Sequence, residues 1–253
     1  MDFNGPPHPG NHMTQPVTIP VIRPRRLFQA VEQQLPGQNV EISMLMPSSG
    51  IGSLFTLESA LVAALLKITS AENIFEFGTF HGSTTVMLAA NSGPRARITS
   101  LDLPHQQIAA ENPAGLNLAD ADQNDQFLRL MYRDRGPFCV SQARPELQQK
   151  IRLIAADSRA FCPVTAGLAG SQDLVLVDGG HDFETEMNDS LKAFQLAKPD
   201  SVIIWHDYGS AIHTDVARCL QELAMDHQLV AIGSTMLCMC LQGRFARLGL
   251  ADG

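Results

Sequence analysis

The chain has 253 residues, 45% of them hydrophobic and 17% charged. At roughly 150 residues per domain that is about 1.7 domains, apolar enough to fill a large core, so an intrinsically disordered chain is excluded. Lys+Arg number 18 against Asp+Glu 26, a formal charge of −8, which argues against a nucleic-acid binder that relies on a basic field. No run approaches the about 18 apolar residues of a membrane span, and the N-terminus lacks the basic start and apolar core of a signal peptide. Cys139, Cys162, Cys219, Cys238 and Cys240 make no CxxC pair, and an odd set of this kind reads as reduced thiols in a cytoplasmic protein. Cys238 and Cys240 lie two apart in the apolar run Met236–Leu241. A strand points both to one face, as core thiols rather than a metal pair.

Residues 1–45 are Pro-rich and weakly patterned, and form an N-terminal extension. The pair His12-Met13 resembles a cloning junction, so residues 1–12 are set aside as a leader outside the fold. The cluster Arg23, Arg25 and Arg26 reads as a solvated arm, with a dimer surface or substrate entrance as the alternative. The principal domain then covers 46–253. Leu57, Leu61, Ala64, Leu65 and Ile68 recur at helical spacing behind Thr56 or Ser53 as N-cap. Beyond them strands and helices alternate. Strands are expected over 73–77, 97–102, 151–156, 173–178 and 201–205, and helices over 83–90, 184–196 and 214–225. A last hairpin pairs 229–232 with 236–241. Such alternation predicts a Rossmann-like α/β fold: a seven-stranded, mostly parallel sheet with one antiparallel edge strand and helices on both faces. The stretch 104–150 is an insertion or lid, with helices expected over 122–133 and 145–150.

In such sheets ligands bind beyond the carboxyl ends of the strands, and here those ends are polar throughout. They read Glu76-Phe-Gly78-Thr79-Phe-His-Gly82-Ser83, Asp102-Leu103, Asp157-Ser158, Asp178-Gly-Gly-His181 and His206-Asp207-Tyr208. The glycine spacing matches neither GxGxxG nor GxxxxGK[ST], which disfavours a phosphate cradle. Gly78 permits a tight turn, Glu76 suits a cationic group, and Asp102 is placed for ribose hydroxyls. A cofactor with a ribose, a positive charge and no phosphate is S-adenosylmethionine (SAM).

These motifs, in this order, resemble the class I SAM-dependent methyltransferases. Residues 74–83, 174–183 and 202–208 are most similar to small-molecule O-methyltransferases of the cephalosporin-hydroxylase-like and macrocin-type group, and more distantly to the catechol O-methyltransferases. The resemblance implies that Glu76, Gly78, Thr79, Gly82 and Ser83 shape the methionine side of the SAM site. By the same token Asp102 holds the ribose, Leu103 flanks the adenine, Asp157 and Ser158 meet its edge, and Asp178 borders the cofactor. It further implies a divalent metal, Mg²⁺ in the relatives, on Asp178, Asp207 and a third ligand. His206 stands where one subgroup has a carboxylate and Tyr208 where another has an amide, although hard Mg²⁺ prefers oxygen. His181 stands where relatives carry the base that deprotonates the acceptor, the alternative being a histidine that only fixes the loop. His81 reads as a wall of the cofactor pocket, His213 as solvent-exposed, and Trp205 as core with its ring near the acceptor. The expected function is methyl transfer to the hydroxyl of a small molecule, in a homodimer. Rival readings are a SAM-binding accessory protein without transfer and a metal-dependent hydrolase built on Asp178, His181, His206 and Asp207.

Overall fold

A computed structural model of the protein describes residues 17–45, 51–108 and 116–248. The proposed leader, 1–12, lies outside them. In chain order the elements are β1 Val21–Ile22, α1 Pro24–Gln34, α2 Thr56–Thr69, β2 Asn73–Phe77, α3 Ser83–Asn91, β3 Arg97–Asp102, α4 Ala121–Arg135, α5 Phe138–Gln142, α6 Pro145–Gln148, β4 Ile151–Ala155, β5 Gln172–Val177, α7 Phe183–Leu196, β6 Ala197–Trp205, α8 Thr214–Leu223, β7 Leu229–Ile232 and β8 Cys238–Leu241. The strands form one sheet in the order β1-β7-β8-β6-β5-β2-β3-β4. All neighbours are parallel except β8, which runs antiparallel to both β6 and β7. The Rossmann-like sheet expected from the sequence is therefore present, with eight strands instead of seven. The hairpin strand β8 is inserted between β6 and β7, and β1 closes that edge.

The extra strand corrects the reading of the N-terminal segment. Val21 and Ile22 pair with Ala231 and Ile232, and α1 starts on Pro24, whose missing N–H costs nothing at a first helical position. Leu27 and Ala30 of α1 are buried with Leu61 and Leu65 of α2 in one apolar cluster. Residues 17–34 are thus part of the domain, although Arg23, Arg25 and Arg26 themselves are exposed. Alternating side chains of the central strands feed the two faces. Ile74, Leu174, Leu176, Val202 and Ile204 pack under α1, α2 and α3. Phe75, Val175, Val177, Ile203 and Trp205 pack under α7 and α8, together with Cys238 and Cys240, which are core thiols as expected. Burial on both faces is why β5 reads as a continuous apolar run. Edge strand β4 leaves Leu153 42% exposed.

Several helix ends are fixed by side chains that the sequence reading did not assign. Asp120 caps α4 through the Gln123 N–H and Asp182 caps α7 through the Thr185 N–H. Glu58 in the first turn of α2 accepts from the Phe55 N–H on Oε2 and from the Met236 N–H on Oε1, joining the helix to the hairpin loop. The stretch 104–150 contributes α4, α5 and α6. Of these, α4 stands beside the carboxyl ends of the strands. Among the described residues no helix is long and apolar enough to cross a membrane.

Candidate active site

Strand order reverses between β2 and β5, the point where an open α/β sheet leaves a crevice. A cleft of 670 Å³ lies there. At its base the turn after β2 abuts the turn after β5: the Gly78 N–H donates to Leu101 O and the Asp178 N–H to Phe77 O. Gly78 has φ +87°, and a Cβ on it would collide with the Asp178 carbonyl. Only glycine fits that position. Phe80, two residues on, also takes a left-handed conformation, φ +46°, a strain of about 1–3 kcal/mol that persists where the surroundings enforce it. What enforces it is Asp102. Its Oδ2 accepts from the N–H groups of Thr79 (2.9 Å) and Phe80 (2.7 Å), and its Oδ1 from that of Leu103 (2.7 Å). With two acceptor positions per carboxylate oxygen, Oδ1 keeps one for a ligand.

Gly78, Thr79, Ser83, Asp102, Leu103, Asp157, Ser158 and Asp178 all line the cleft. Three residues assigned to its wall do not. Glu76 is fully buried beneath the turn, its Oε2 taking hydrogen bonds from Thr85 and Ser100. Burial pushes its carboxyl up to about 8 in spite of those two bonds, so it is a neutral acid below that pH and offers no charge to a cationic ligand. Gly82, at the N-terminus of α3 with φ +81°, faces Val140 of α5. It is required by helix packing instead of by cofactor approach. His81 also turns away: it stacks on Phe80 at 3.9 Å and meets Phe138 edge-on. Asp157 reaches the rim already held by Arg159 at 2.8 Å, and the guanidinium keeps its carboxyl below the usual range.

The other end of the cleft is a network of alternating acids and imidazoles. His206 Nδ1 lies 3.1 Å from Asp178 Oδ1 and 3.0 Å from Asp207 Oδ2, and its Nε2 lies 3.1 Å from Glu58 Oε2. His181 Nε2 is 3.2 Å from the same Asp207 oxygen, and its Nδ1 is 2.7 Å from Asp125 Oδ1. Burial alone would lower both histidines. The flanking carboxylates outweigh it, pushing His181 up to about 10 and His206 well above its ordinary value. The two imidazoles in turn hold Asp207 far below the usual carboxylate range against its burial. Asp207 sits at φ +59° two residues after β6, a conformation that Asp tolerates better than most residues. His213, read as solvent-exposed, is 6% exposed and stacked on His181 at 3.9 Å. Burial, with the neighbouring His181, keeps it below its ordinary value. Trp205 lies wholly in the core, its Nε1–H donating to Ser190 Oγ.

Two role assignments change. His206 stands in this arrangement as the partner of Asp178, Asp207 and Glu58, and an ion on the two aspartates would have to take the place its Nδ1 holds between them. A magnesium ion on Asp178, His206 and Asp207 does not fit. The space between the two aspartates is spanned by His206 Nδ1, and an imidazole is a poor substitute for the oxygen ligands that Mg²⁺ demands. His181, protonated between two carboxylates, is a hydrogen-bond donor and not the general base. The residues that sequence reasoning missed are Asp125, Glu58, Asp189, which lines the cleft, and Glu186. Burial pushes Asp189 up to about 6 and Glu186 well above its ordinary value.

The sequence profile of a family described as the methyltransferase domain matches residues 75–208, more than half of the chain, and the protein belongs to that family. The match spans the turn after β2, the Asp178–His181 loop and the His206–Tyr208 segment. No curated protein matches the sequence. Among solved structures the chain is similar to the SAH-bound methyltransferase PaMTH1 of Podospora anserina, with 12% identity over 95% of this chain and 100% of that one and a TM-score of 0.51. This shows a shared class I fold. It is also similar to an O-methyltransferase of Bacillus cereus in complex with SAH (15% identity, 87% and 91% of the chains, TM-score 0.47) and to cofactor-bound Rv0187 from MTB (17%, 86% and 88%, TM-score 0.48).

Proposed function

We propose that the protein transfers the methyl group of SAM to a hydroxyl of a small molecule. The observation that carries this reading is the joining of two half-sites in one cleft at the strand-order switch. One is the Gly78–Ser83 turn clamped by Asp102, and the other is the Asp178–His181–Asp207 network. A volume of 670 Å³ falls in the about 300–1,000 Å³ range of pockets that enclose small organic ligands. When bound, SAM supplies a methyl group on a cationic sulfur.

Its binding falls to the turn backbone and to the open acceptor position on Asp102 Oδ1. Leu103 offers the apolar contact, and Ser158 a polar one at the rim. The acid excess suits the cation: Glu58, Asp125, Asp178 and Asp207 outnumber the imidazolium groups of His181 and His206. At the acceptor end His181 holds Asp207 in place through Nε2–H. Asp178 is the proton acceptor for the reacting hydroxyl. Among the described residues its carboxylate is engaged only by His206, at Oδ1, and it lines the cleft beside Gly78. Most of the rate gain comes from holding oxygen and methyl in line, with proton removal adding about 10²–10⁴-fold.

The test is transfer of label from methyl-labelled SAM to a panel of small alcohols and phenols. Asp178→Asn is expected to keep cofactor affinity and lose at least about 100-fold in kcat. A full rate in that variant contradicts its role. Cofactor binding without transfer to any acceptor favours the accessory-protein reading.

A further inference from the structure

We infer that Asp125 of α4, His181 after β5 and His213 at the start of α8 form a site for a divalent first-row transition ion at the acceptor end of the cleft. The inference rests on the proposed function only in taking that end as the acceptor side. Its ligand atoms, Asp125 Oδ1 and a ring nitrogen of each histidine, all lie within 4.8 Å of one another. Asp125 Oδ1 is 2.7 Å from His181 Nδ1 and 3.8 Å from His213 Nδ1. Ligands bound at about 2.0–2.2 Å stand roughly 3 Å apart when adjacent and just over 4 Å when opposite, so an ion needs only small side-chain adjustments here.

The independent sign of a ligand is His213 itself. The residue is 6% exposed, and its Nδ1 is buried without any hydrogen-bond partner. An unpaired buried polar atom costs about 1–3 kcal/mol. An ion between it and Asp125 Oδ1 would satisfy it from the cleft that both residues line. The imidazoles of His181 and His213 stack at 3.9 Å, 22° from parallel. An ion there would replace the proton on His181 Nδ1 and leave its Nε2–H on Asp207. The support around the cluster is also that of a metal centre. Ligating histidines usually donate their second ring N–H to a carboxylate, and His181 Nε2 faces Asp207 Oδ2 at 3.2 Å. The His213 backbone N–H is held by Ser210 Oγ at 3.1 Å.

Two imidazoles and one carboxylate with open positions select Mn²⁺, Fe²⁺, Co²⁺ or Zn²⁺ over Mg²⁺. The alternative cluster of Asp178, His181 and Asp207 has both aspartates already engaged by His206. All three proposed ligands line the same cleft as the cofactor turn. An ion there would polarise the acceptor hydroxyl, lowering its pKa.

The experiment is titration of the purified, chelator-treated protein with Co²⁺, followed by calorimetry and visible absorption, with Mg²⁺ in parallel. The expected result is one equivalent of Co²⁺ bound with imidazole-type ligand-field bands, and at least 100-fold weaker binding of Mg²⁺. His213→Ala, His213→Gln and Asp125→Asn should each weaken Co²⁺ binding at least 100-fold, while Asp178→Asn retains it. Binding of S-adenosylhomocysteine confirms that each variant is folded, and it tests the cofactor site separately. Absence of Co²⁺ binding, or binding that survives both His213 variants, overturns the inference. So does binding lost in Asp178→Asn and kept in His213→Gln, which would place the ion on the other cluster.

Discussion

Glu76 carries the clearest pH signature in the molecule. In the folded chain its carboxyl is pushed up to about 8 from an ordinary 4.5. Below about pH 4.5 it is protonated in both states and its contribution is fully present. As pH rises toward 8 the unfolded chain releases the proton while the folded chain holds it, so stability falls. At about 1.4 kcal/mol per unit the loss is on the order of a few kcal/mol. Glu76→Gln is expected to remove most of this slope. Thermal denaturation at pH 5 and pH 8 should show the variant gaining on the wild type at the higher pH, and parallel curves would refute the assignment. The same residue shows what could be read in advance. That an acid ends β2 was plain in the sequence, but its neutrality arises from complete burial beneath the turn, against the pull of the Ser100 and Thr85 hydrogen bonds, which only packing reveals. Asp125 and His213 were hidden for a related reason. Asp125 sits in a stretch rich in Asn, Asp and Gln that looks solvated, and His213 follows a loop. Nothing local indicates that α4 and the start of α8 meet over His181.

The turn after β2 and the N-terminal helix make separate predictions. Gly78→Ala must place a Cβ against the Asp178 carbonyl at φ +87°. It should cost at least about 2 kcal/mol in stability and weaken cofactor binding by displacing the turn from Asp102; unchanged denaturant midpoint and affinity would contradict that geometry. Leu27→Ala, in the N-terminal extension, should cost about 2–5 kcal/mol. A loss under about 0.5 kcal/mol by urea denaturation would mean that α1 is not docked on α2. The central strands were readable because parallel strands covered on both faces are continuous apolar runs. β1 was not, since two residues cannot establish a period, and α1 was masked by its Pro, Arg and Gln content. α5 escaped because five residues after Gly136-Pro137 carry too little pattern.

For the molecule as a whole, the acidic charge of −8 is expressed in the cleft, where Asp102, Asp125, Asp178 and Asp207 all face the cavity. This arrangement favours a cationic cofactor and opposes a phosphate-rich one. Both halves of the site are set by the same topological event, the reversal of strand order between β2 and β5. Methyl transfer and the cofactor that serves it therefore stand or fall together. The most direct measurement is a calorimetric titration of the purified protein with S-adenosylhomocysteine. The account predicts one site per chain with micromolar affinity, weakened at least tenfold by Asp102→Ala, which removes the ligand-facing oxygen and leaves three turn N–H groups unpaired. No binding by the wild-type protein, or binding indifferent to Asp102, would contradict it.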